Sequence, residues 1–216
     1  MEQRSSEVAA TRLTARGAKT RSRIIATAAD LMRVRGVGGT TLEDVVVASN
    51  VSKSQLYHHF DDKQALVRAV IEFVGDRRIA EERERLGKVM TFAGLRRWRD
   101  ALVENNALQE GRYGCMLGSL ANEVADQDPI ARQQLHDLFA AWQGLFDDLL
   151  RRFQKVGLIP LEADVSQLAT GLLAAVQGGY LLAQTARDVT PMASAIDMAV
   201  AHLQMLNSRP LTDEHG

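Results

Sequence analysis

The chain has 216 residues, of which 46% are hydrophobic and 25% are charged, as in ordinary globular proteins. Its single cysteine excludes an intramolecular disulfide framework and predicts a reducing, cytoplasmic environment. The chain opens without a secretory signal pattern, and its longest nearly apolar stretch, residues 168–183, is shorter than the roughly 20 residues of a membrane span. We therefore expect a cytoplasmic protein that does not enter a membrane.

The charges are unevenly distributed. Residues 1–75 carry 11 basic and 8 acidic side chains, so the remainder of this chain of net charge −1 is acidic. Such asymmetry favours contact between the amino-terminal part and a polyanion, although a solubilising basic tail would look the same. Residues 1–19 lack apolar periodicity, which predicts a flexible basic arm.

The first two helices have clear limits in the sequence. Apolar residues at helical spacing begin after Thr20, and a cluster of glycines that starts at Gly36 ends this helix. Thr41, with Asp44 three residues later, predicts a capping box at the start of the second helix. Asn50 suits the left-handed backbone of the turn that follows.

The third and fourth helices follow at once. Ser52 and Gln55 predict a second capping box, and Leu56 and Phe60, four residues apart, predict the buried side of the third helix. A longer fourth helix is expected over residues 62–86. The third helix is otherwise too polar for a core element.

Beyond residue 78 every segment is predicted to be helical, with helices near 91–109, 114–127, 129–156, 163–187 and 191–207. No alternating strand pattern or hairpin signal interrupts them. The expected fold is all-α, with about nine helices. We divide it into a flexible basic arm (1–19), a three-helix helix-turn-helix DNA-binding domain (20–75), a larger helical ligand-binding and dimerisation domain (76–207) and a tail (208–216).

The third helix carries side chains suited to a DNA major groove. Gln55 can contact adenine with two hydrogen bonds, and Lys53 can reach guanine or a phosphate. Lys63, just beyond the helix, can neutralise another phosphate. The candidate DNA contacts within two turns of the helix are Ser52, Lys53, Ser54, Gln55, Tyr57, His58 and His59. A merely solvated polar face is the alternative.

Residues 20–74 resemble the DNA-binding domain of the TetR family of bacterial transcriptional regulators. The resemblance rests on Gly36, Thr40-Thr41, Val51-Ser52, Leu56-Tyr57-His58-His59-Phe60 and Lys63. It implies that Thr41, Tyr57 and Lys63 contact phosphates. It also implies that the groove-facing residues are Lys53, Ser54, Gln55 and His59. The chain departs from the family at Asn50, usually Gly, and at Ser54, usually Gly or another small residue, so no operator sequence can be carried over.

The last two helices suggest a dimer, since one recognition helix reads too few base pairs. Residues 165–183 are apolar on nearly every side, so they must be covered on every side. The predicted four-helix interface comprises Leu168, Leu172, Val176, Gly179, Leu182, Met192, Ile196, Val200 and Leu203. The alternative is that both helices only complete the core of a monomer.

The larger helical domain, residues 76–207, is called the body below. It also mixes aromatic, Met and isolated amide side chains, as ligand pockets do. TetR-like proteins typically have such a cavity, and the candidate lining residues are Trp98, Leu102, Asn105, Cys115, Met116, Phe139, Trp142, Phe146, Gln177 and Tyr180. Taken singly, each of these residues suits a plain core equally well. The expected effector is a small apolar or aromatic molecule.

The sequence therefore predicts a repressor that binds a (pseudo)palindromic double-stranded operator as a homodimer and is released by its effector. Two alternatives remain open, a thiol redox sensor acting through Cys115 and a transcriptional activator. An enzyme is not expected, because Cys115 and the histidines form no motif of catalytic or metal-ligand spacing. No cofactor is predicted.

Overall fold

The computed structural model describes residues 14–207. In that part of the chain the backbone forms helices and no strand, which confirms the all-α prediction. The helices are α1 Ala15–Arg35, α2 Leu42–Ser49, α3 Lys53–His59, α4 Lys63–Gly87, α5 Phe92–Ala107, α6 Met116–Val124, α7 Pro129–Lys155, α8 Val165–Ala186 and α9 Thr190–Asn207. Their order agrees with the sequence-based expectation.

The first helix begins earlier than its apolar pattern predicts. Thr14 is its N-cap, and the side-chain oxygen accepts a hydrogen bond from the backbone N–H of Gly17 at 3.1 Å. The prediction of a flexible arm is therefore wrong for residues 15–19, which form the exposed first turns of α1 and so show no apolar periodicity. Residues 1–13 of the predicted arm and the predicted tail 208–216 lie outside the described residues.

Both predicted capping boxes are confirmed. The Thr41 hydroxyl accepts from the Asp44 N–H at 3.1 Å, while Asp44 accepts from the Thr41 N–H at 2.9 Å. Ser52 and Gln55 repeat the arrangement at 3.1 and 2.8 Å. Asn50 between them is left-handed, with φ 50° and ψ 51°. The two boxes fix where α2 and α3 start, and Asn50 ends α2, so together they set how α3 is presented.

The fourth helix belongs to both parts of the molecule. It packs against both α1 and α7. The crossing is close at Gly75, which lies beneath the Leu138 side chain of α7. The core of the body is built around α7, whose largest buried side chains are Trp142, Phe146 and Phe153. Helix α4 therefore lies against both α1 and the core helix α7.

Helix α8 is long and apolar enough, by length and composition alone, to cross a membrane. Its buried side chains are packed instead against α7 and α9 of the same chain. This packing is the usual reason for such a composition in the core helix of a globular protein.

Candidate nucleic-acid interface and effector site

The third helix presents its polar side chains outward. Leu56 is fully buried and Phe60 almost so, which anchors α3 on the other helices of residues 20–75, called the head below. Of the nine candidate DNA contacts, His59 and Lys63 are partly exposed, and the exposed ones are Thr41, Ser52, Lys53, Ser54, Gln55, Tyr57 and His58. All nine are therefore at least partly accessible to a partner.

Gln55 has a second task besides any contact with a base. Its Oε1 accepts the Ser52 backbone N–H at 2.8 Å, which leaves the amide Nε2 free to donate outward. A two-bond contact with adenine uses both amide atoms. Gln55 must therefore leave the capping box, or share Oε1, to read adenine in that way.

Lys53 is held loosely over the surface. Its ammonium lies 3.3 Å from a Glu43 carboxylate oxygen, and both side chains are largely exposed. The same Nζ lies 5.9 Å from the centre of the Tyr57 ring. Because an exposed ion pair contributes little, Lys53 can exchange Glu43 for a phosphate or a base at small cost.

The two histidines at the end of α3 have rings 5.1 Å apart in an edge-to-face arrangement. Burial chiefly lowers the pKa of His59, and the charges of His58 and Arg21 lower it further. A His59 pKa below its ordinary value favours the neutral ring near neutral pH. His59 is therefore suited to hydrogen bonding rather than to neutralising a phosphate.

The sequence predicted a basic amino-terminal part that meets a polyanion, but it did not place residues of α1 beside α3. A cleft of about 330 Å³ separates the start of α1 from α3. Arg16 and Thr20 line it on one side, and Ser54, Gln55 and His58 are among the residues on the other. The concentration of basic residues in the first part of the sequence was the available signal. Arg16 adds a cation beside the candidate groove-facing residues.

Two family models match the chain. The model described as bacterial regulatory proteins, tetR family, matches residues 24–70, and the C-terminal domain model of LmrA/YxaF-like transcriptional regulators matches residues 91–198. The chain belongs to the TetR family of bacterial transcriptional regulators. It is thus a DNA-binding regulator, and its relatives belong to a non-enzymatic family.

This TetR-family chain is 28% identical to the HTH-type transcriptional repressor DhaR of Mycobacterium sp. (strain GP1), covering 73% of the chain and 79% of DhaR. It is 26% identical to the regulator LmrA of Bacillus subtilis, covering 80% and 90%. It is 25% identical to the repressor NemR of Escherichia coli, covering 88% and 95%.

Solved structures share the fold. The regulatory protein TetR from Rhodobacter sphaeroides superposes with a TM-score of 0.73 at 22% identity, covering 85% of this chain and 98% of that one. A cysteine mutant of the TetR-family regulator CifR, complexed with 26-bp double-strand operator DNA, gives 0.72 at 19% identity, covering 83% and 94%. These likenesses support the TetR fold found here.

The structure corrects the residues chosen for a dimer interface. Seven of the nine are buried within the single chain: Leu172, Val176, Gly179, Met192, Ile196, Val200 and Leu203. Leu168 is partly buried, and only Leu182 is exposed. A side chain already buried has almost no surface left for a partner to cover. The apolar residues that do face outward on α8 and α9 are Gly171, Ala174, Gly178, Leu181, Leu182, Ala186, Met198, Ala201 and Met205.

Six of the ten candidate pocket residues line two cavities that adjoin Cys115. Asn105 and Met116 line a cavity of about 460 Å³ between α1, α4 and the segment before α6. Phe139, Gln177 and Tyr180 line a second, of about 320 Å³, between α6 and α8. Cys115 lines both. The sequence-based prediction therefore treated as one pocket what are two neighbouring cavities.

The other four candidates lie elsewhere. Leu102, Trp142 and Phe146 are buried in the core and line neither cavity, and Trp98 packs edge-to-face on Phe146. The Trp98 indole N–H donates to the buried Glu82 carboxylate at 2.9 Å. None of these four side chains lines the two cavities beside Cys115, although Trp98 lines a separate one of about 280 Å³ with residues of α4 and α5.

Two polar contacts join the head to the body. The Glu123 carboxylate of α6 accepts hydrogen bonds from the backbone N–H groups of Val37 and Gly38, at 2.7 and 3.2 Å. Arg68 of α4 donates to Asp128, the N-cap of α7, at 2.7 Å. That bond chiefly lowers the pKa of Asp128, burial opposes it, and the backbone N–H of Ala131 adds to the lowering. Both contacts tie residues of the head to α6 and α7.

Proposed function

We propose that this chain is a ligand-responsive repressor that binds a (pseudo)palindromic operator as a homodimer and is released by a small molecule. The observation that supports it best concerns α6. Side chains of α6 line both cavities, and Glu123 near its end holds the turn after α1. A ligand that displaces α6 therefore displaces the turn from which α2 and α3 follow.

The proposed division of labour follows the sequence-based domains, with residues 20–75 as the head and 76–207 as the body. Thr41, Tyr57 and Lys63 contact phosphates. The residues facing the groove are Lys53, Ser54, Gln55 and His59. Phosphate contacts supply affinity and register, whereas contacts with base edges supply the preference for one sequence.

The proposed homodimer uses the outward apolar face of α8 and α9. On α8 this face combines small residues, which allow close helix approach, with Leu181 and Leu182, each about half exposed. Met198 and Met205 of α9 are still more exposed. A two-fold dimer presents two α3 helices to successive major grooves about 34 Å apart. DhaR and NemR are named as repressors, which favours repression here.

Release requires that the ligand bind two conformations unequally. The DNA-free spacing of the two α3 helices is the quantity that a ligand can change, because α4 and α6 both join the head to the body. A change of a few ångströms takes α3 out of register with the grooves. Because DNA binding is the proposed task, a cytoplasmic location is proposed with it.

The test is fluorescence-anisotropy titration of the purified protein with DNA from upstream of its own gene. Random DNA serves as the competitor, and the salt concentration is varied. Tight binding that survives the competitor, with an even number of protomers per site, is the expected result. Only weak binding, equal on random DNA, would reject an operator at that position.

The thiol alternative gains no support from the fold. Cys115 is buried, with 5% of its surface exposed, and a disulfide would need a second molecule because the chain has no other cysteine. Operator binding is expected to be unchanged by peroxide. Loss of binding in peroxide, restored by a thiol reductant, would revive the redox sensor. Activation differs from repression by operator position, so a promoter–reporter assay separates the two.

A further inference from the structure

The larger cavity beside Cys115 has a cationic lining. Arginines from α1 and α4 surround its 460 Å³, namely Arg33, Arg77, Arg78 and Arg85. The acidic residues that also line it are Asp30 and Glu81. An excess of guanidinium groups around a space of ligand size is unusual for a site that takes a purely apolar molecule.

The arginines keep donors available. Arg77 donates through Nε to Glu81 at 3.1 Å, while one terminal nitrogen of Arg78 and one of Arg85 lie 3.4 and 3.5 Å from Glu82. Each guanidinium has five N–H donors, so these contacts use only part of its capacity. The remaining donors can bind an anion in the cavity.

Arg33 is the freest of the four. Its guanidinium carbon lies 4.9 Å from the centre of the Tyr113 ring, and no carboxylate within residues 14–207 forms an ion pair with it. The aromatic face orients the guanidinium without neutralising it. Arg33 therefore retains its full charge beside the cavity.

Glu82 offsets one of these positive charges from behind the cavity wall, but four guanidinium groups then meet only three carboxylates, so the cluster keeps a net positive charge. Its side chain is fully buried, and one oxygen accepts the Trp98 indole N–H at 2.9 Å. The other oxygen is shared between Arg78 and Arg85. A buried carboxylate held by three donors positions the two arginines and does not line the cavity itself.

We propose that this cavity binds the carboxylate group of a small organic anion whose apolar part extends toward Cys115 and the second cavity. Guanidinium groups match a carboxylate with paired hydrogen bonds. The second cavity, which also adjoins Cys115, offers Phe139 and Ala121 to the apolar part. The inference rests on the proposed function, since it names the chemical class of the effector.

The cavity is lined by helices of both the head and the body, so a bound ligand contacts both. Arg33 belongs to α1, Arg77 and Arg78 belong to α4, and Met116 starts α6. An anion bridging these elements changes how α1 sits on the body. The same ligand meets the helix that carries Glu123.

The two tryptophans of the chain provide the readout. Trp98 hydrogen-bonds to Glu82, and the Arg78 guanidinium carbon lies 5.6 Å from the centre of the Trp142 ring. Both indoles thus touch the Arg78–Glu82 pair.

Intrinsic fluorescence of the DNA-free protein should change saturably with octanoate, and calorimetry should give the same affinity. Octan-1-ol is the uncharged comparison, and inorganic phosphate is the anion without an apolar part.

The variant is the double substitution Arg33→Gln with Arg77→Gln, since both side chains are exposed and their loss leaves Glu82 paired. The matched control is Arg83→Gln, an exposed arginine of α4 that does not line the cavity. Octanoate should bind roughly tenfold or more weakly to the double variant, the loss expected for charge-assisted hydrogen bonds. The control should bind like the parent chain, and circular dichroism checks the fold of both.

Three results would overturn the site: octan-1-ol binding as tightly as octanoate, phosphate binding as tightly as octanoate, or equal losses in the double variant and the control. The failure of the proposed function is seen separately, because octanoate binding is measured without DNA. Saturable octanoate binding that leaves operator affinity unchanged would uphold the anion site and reject only its role as the effector site.

Discussion

The Glu123 carboxylate lies 2.7 Å from the backbone nitrogen of Val37, so a side chain of the body holds the turn that leads from α1 to α2. The adjoining Gly36 has a φ of 74°, and a Cβ there would lie 3.0 Å from a Glu123 oxygen. A residue with a side chain would be strained at Gly36 and would crowd the carboxylate. The contact therefore depends on both residues.

Replacing Glu123 should loosen the head from the body. Glu123→Ala removes two hydrogen bonds to a charged acceptor, a loss of roughly 1–3 kcal/mol in the free energy of unfolding. The response of operator binding to an effector should weaken as well, because α6 no longer pulls on the turn. Urea denaturation and anisotropy titration measure the two effects. Glu104→Ala, an exposed glutamate of α5, is the control. An unchanged effector response in Glu123→Ala would contradict the coupling.

The Arg68–Asp128 pair predicts a dependence of stability on pH. The pKa of Asp128 is lowered chiefly by the hydrogen bond from Arg68, so the folded protein favours the charged carboxylate. The resulting stability is present above the unfolded Asp pKa of about 3.9 and is lost as pH falls through the lower folded value. Asp128→Asn keeps a helix-capping oxygen but removes the charge.

The parent chain should therefore be more stable than Asp128→Asn at pH 7, and the difference should shrink as the pH falls below about 4. Denaturant titrations at several pH values measure it, with the exposed Asp126→Asn as the control. A difference that stays constant down to acid pH would show that the charge of Asp128 does not matter.

Lys63→Ala should weaken binding to every DNA sequence. When one phosphate contact is lost, one counterion fewer is released on binding. The slope of log affinity against log salt should therefore become shallower by about one unit. Anisotropy titrations on operator and random DNA at several salt concentrations measure this slope. A loss confined to the operator would assign Lys63 to base reading instead.

Gln55 requires two substitutions, because its side chain both caps α3 and faces outward. Gln55→Ala should lower stability and relax sequence preference, whereas Gln55→Glu keeps the capping box but loses the amide donor. We expect Gln55→Glu to melt like the parent and to discriminate poorly between operator and random DNA. Equal proportional losses on both DNAs in Gln55→Ala would remove Gln55 from base reading.

Local features of the fold were readable from the sequence. The pairs Thr41–Asp44 and Ser52–Gln55 were predicted correctly because a capping box is formed by residues three apart, whatever the rest of the chain does. The start of α1 was missed because its first turns are exposed and lack an apolar stripe. The bond from Val37 to Glu123 joins residues 86 positions apart, and only the packing of α6 brings them together.

Some features of the candidate sites could be predicted from local sequence, and others depend on how distant helices pack. The residues of α3 were placed on an exposed surface because a short polar helix with two buried anchors has only one possible orientation. In contrast, α8 is apolar on nearly every side, so its sequence does not distinguish the face toward α9 from the face toward a partner. The four arginines of the larger cavity were not recognised, because Arg33 lies in α1 and the others lie in α4.

The corrected face of α8 and α9 leads to a prediction about assembly. Leu182 and Met198 are exposed, so Leu182→Glu and Met198→Glu should leave the fold intact. In a dimer, either substitution would bury a charge without a partner, and an unpaired buried charge is strongly unfavourable. Light scattering should therefore give the mass of a dimer for the parent chain and of a monomer for the variants. The variants should also bind the operator more weakly than the parent chain, since a monomer reads only one half-site.

The control for this prediction is Leu161→Glu, because Leu161 is about as exposed as Met198 but lies before α8. It should leave both the mass and the operator affinity unchanged. By contrast, Val176→Glu places its charge in the monomer core, where Val176 is fully buried, and should unfold the chain. A monomeric parent chain at micromolar concentration would reject the dimer. A dimer that persists in Leu182→Glu and Met198→Glu would place the interface on another face.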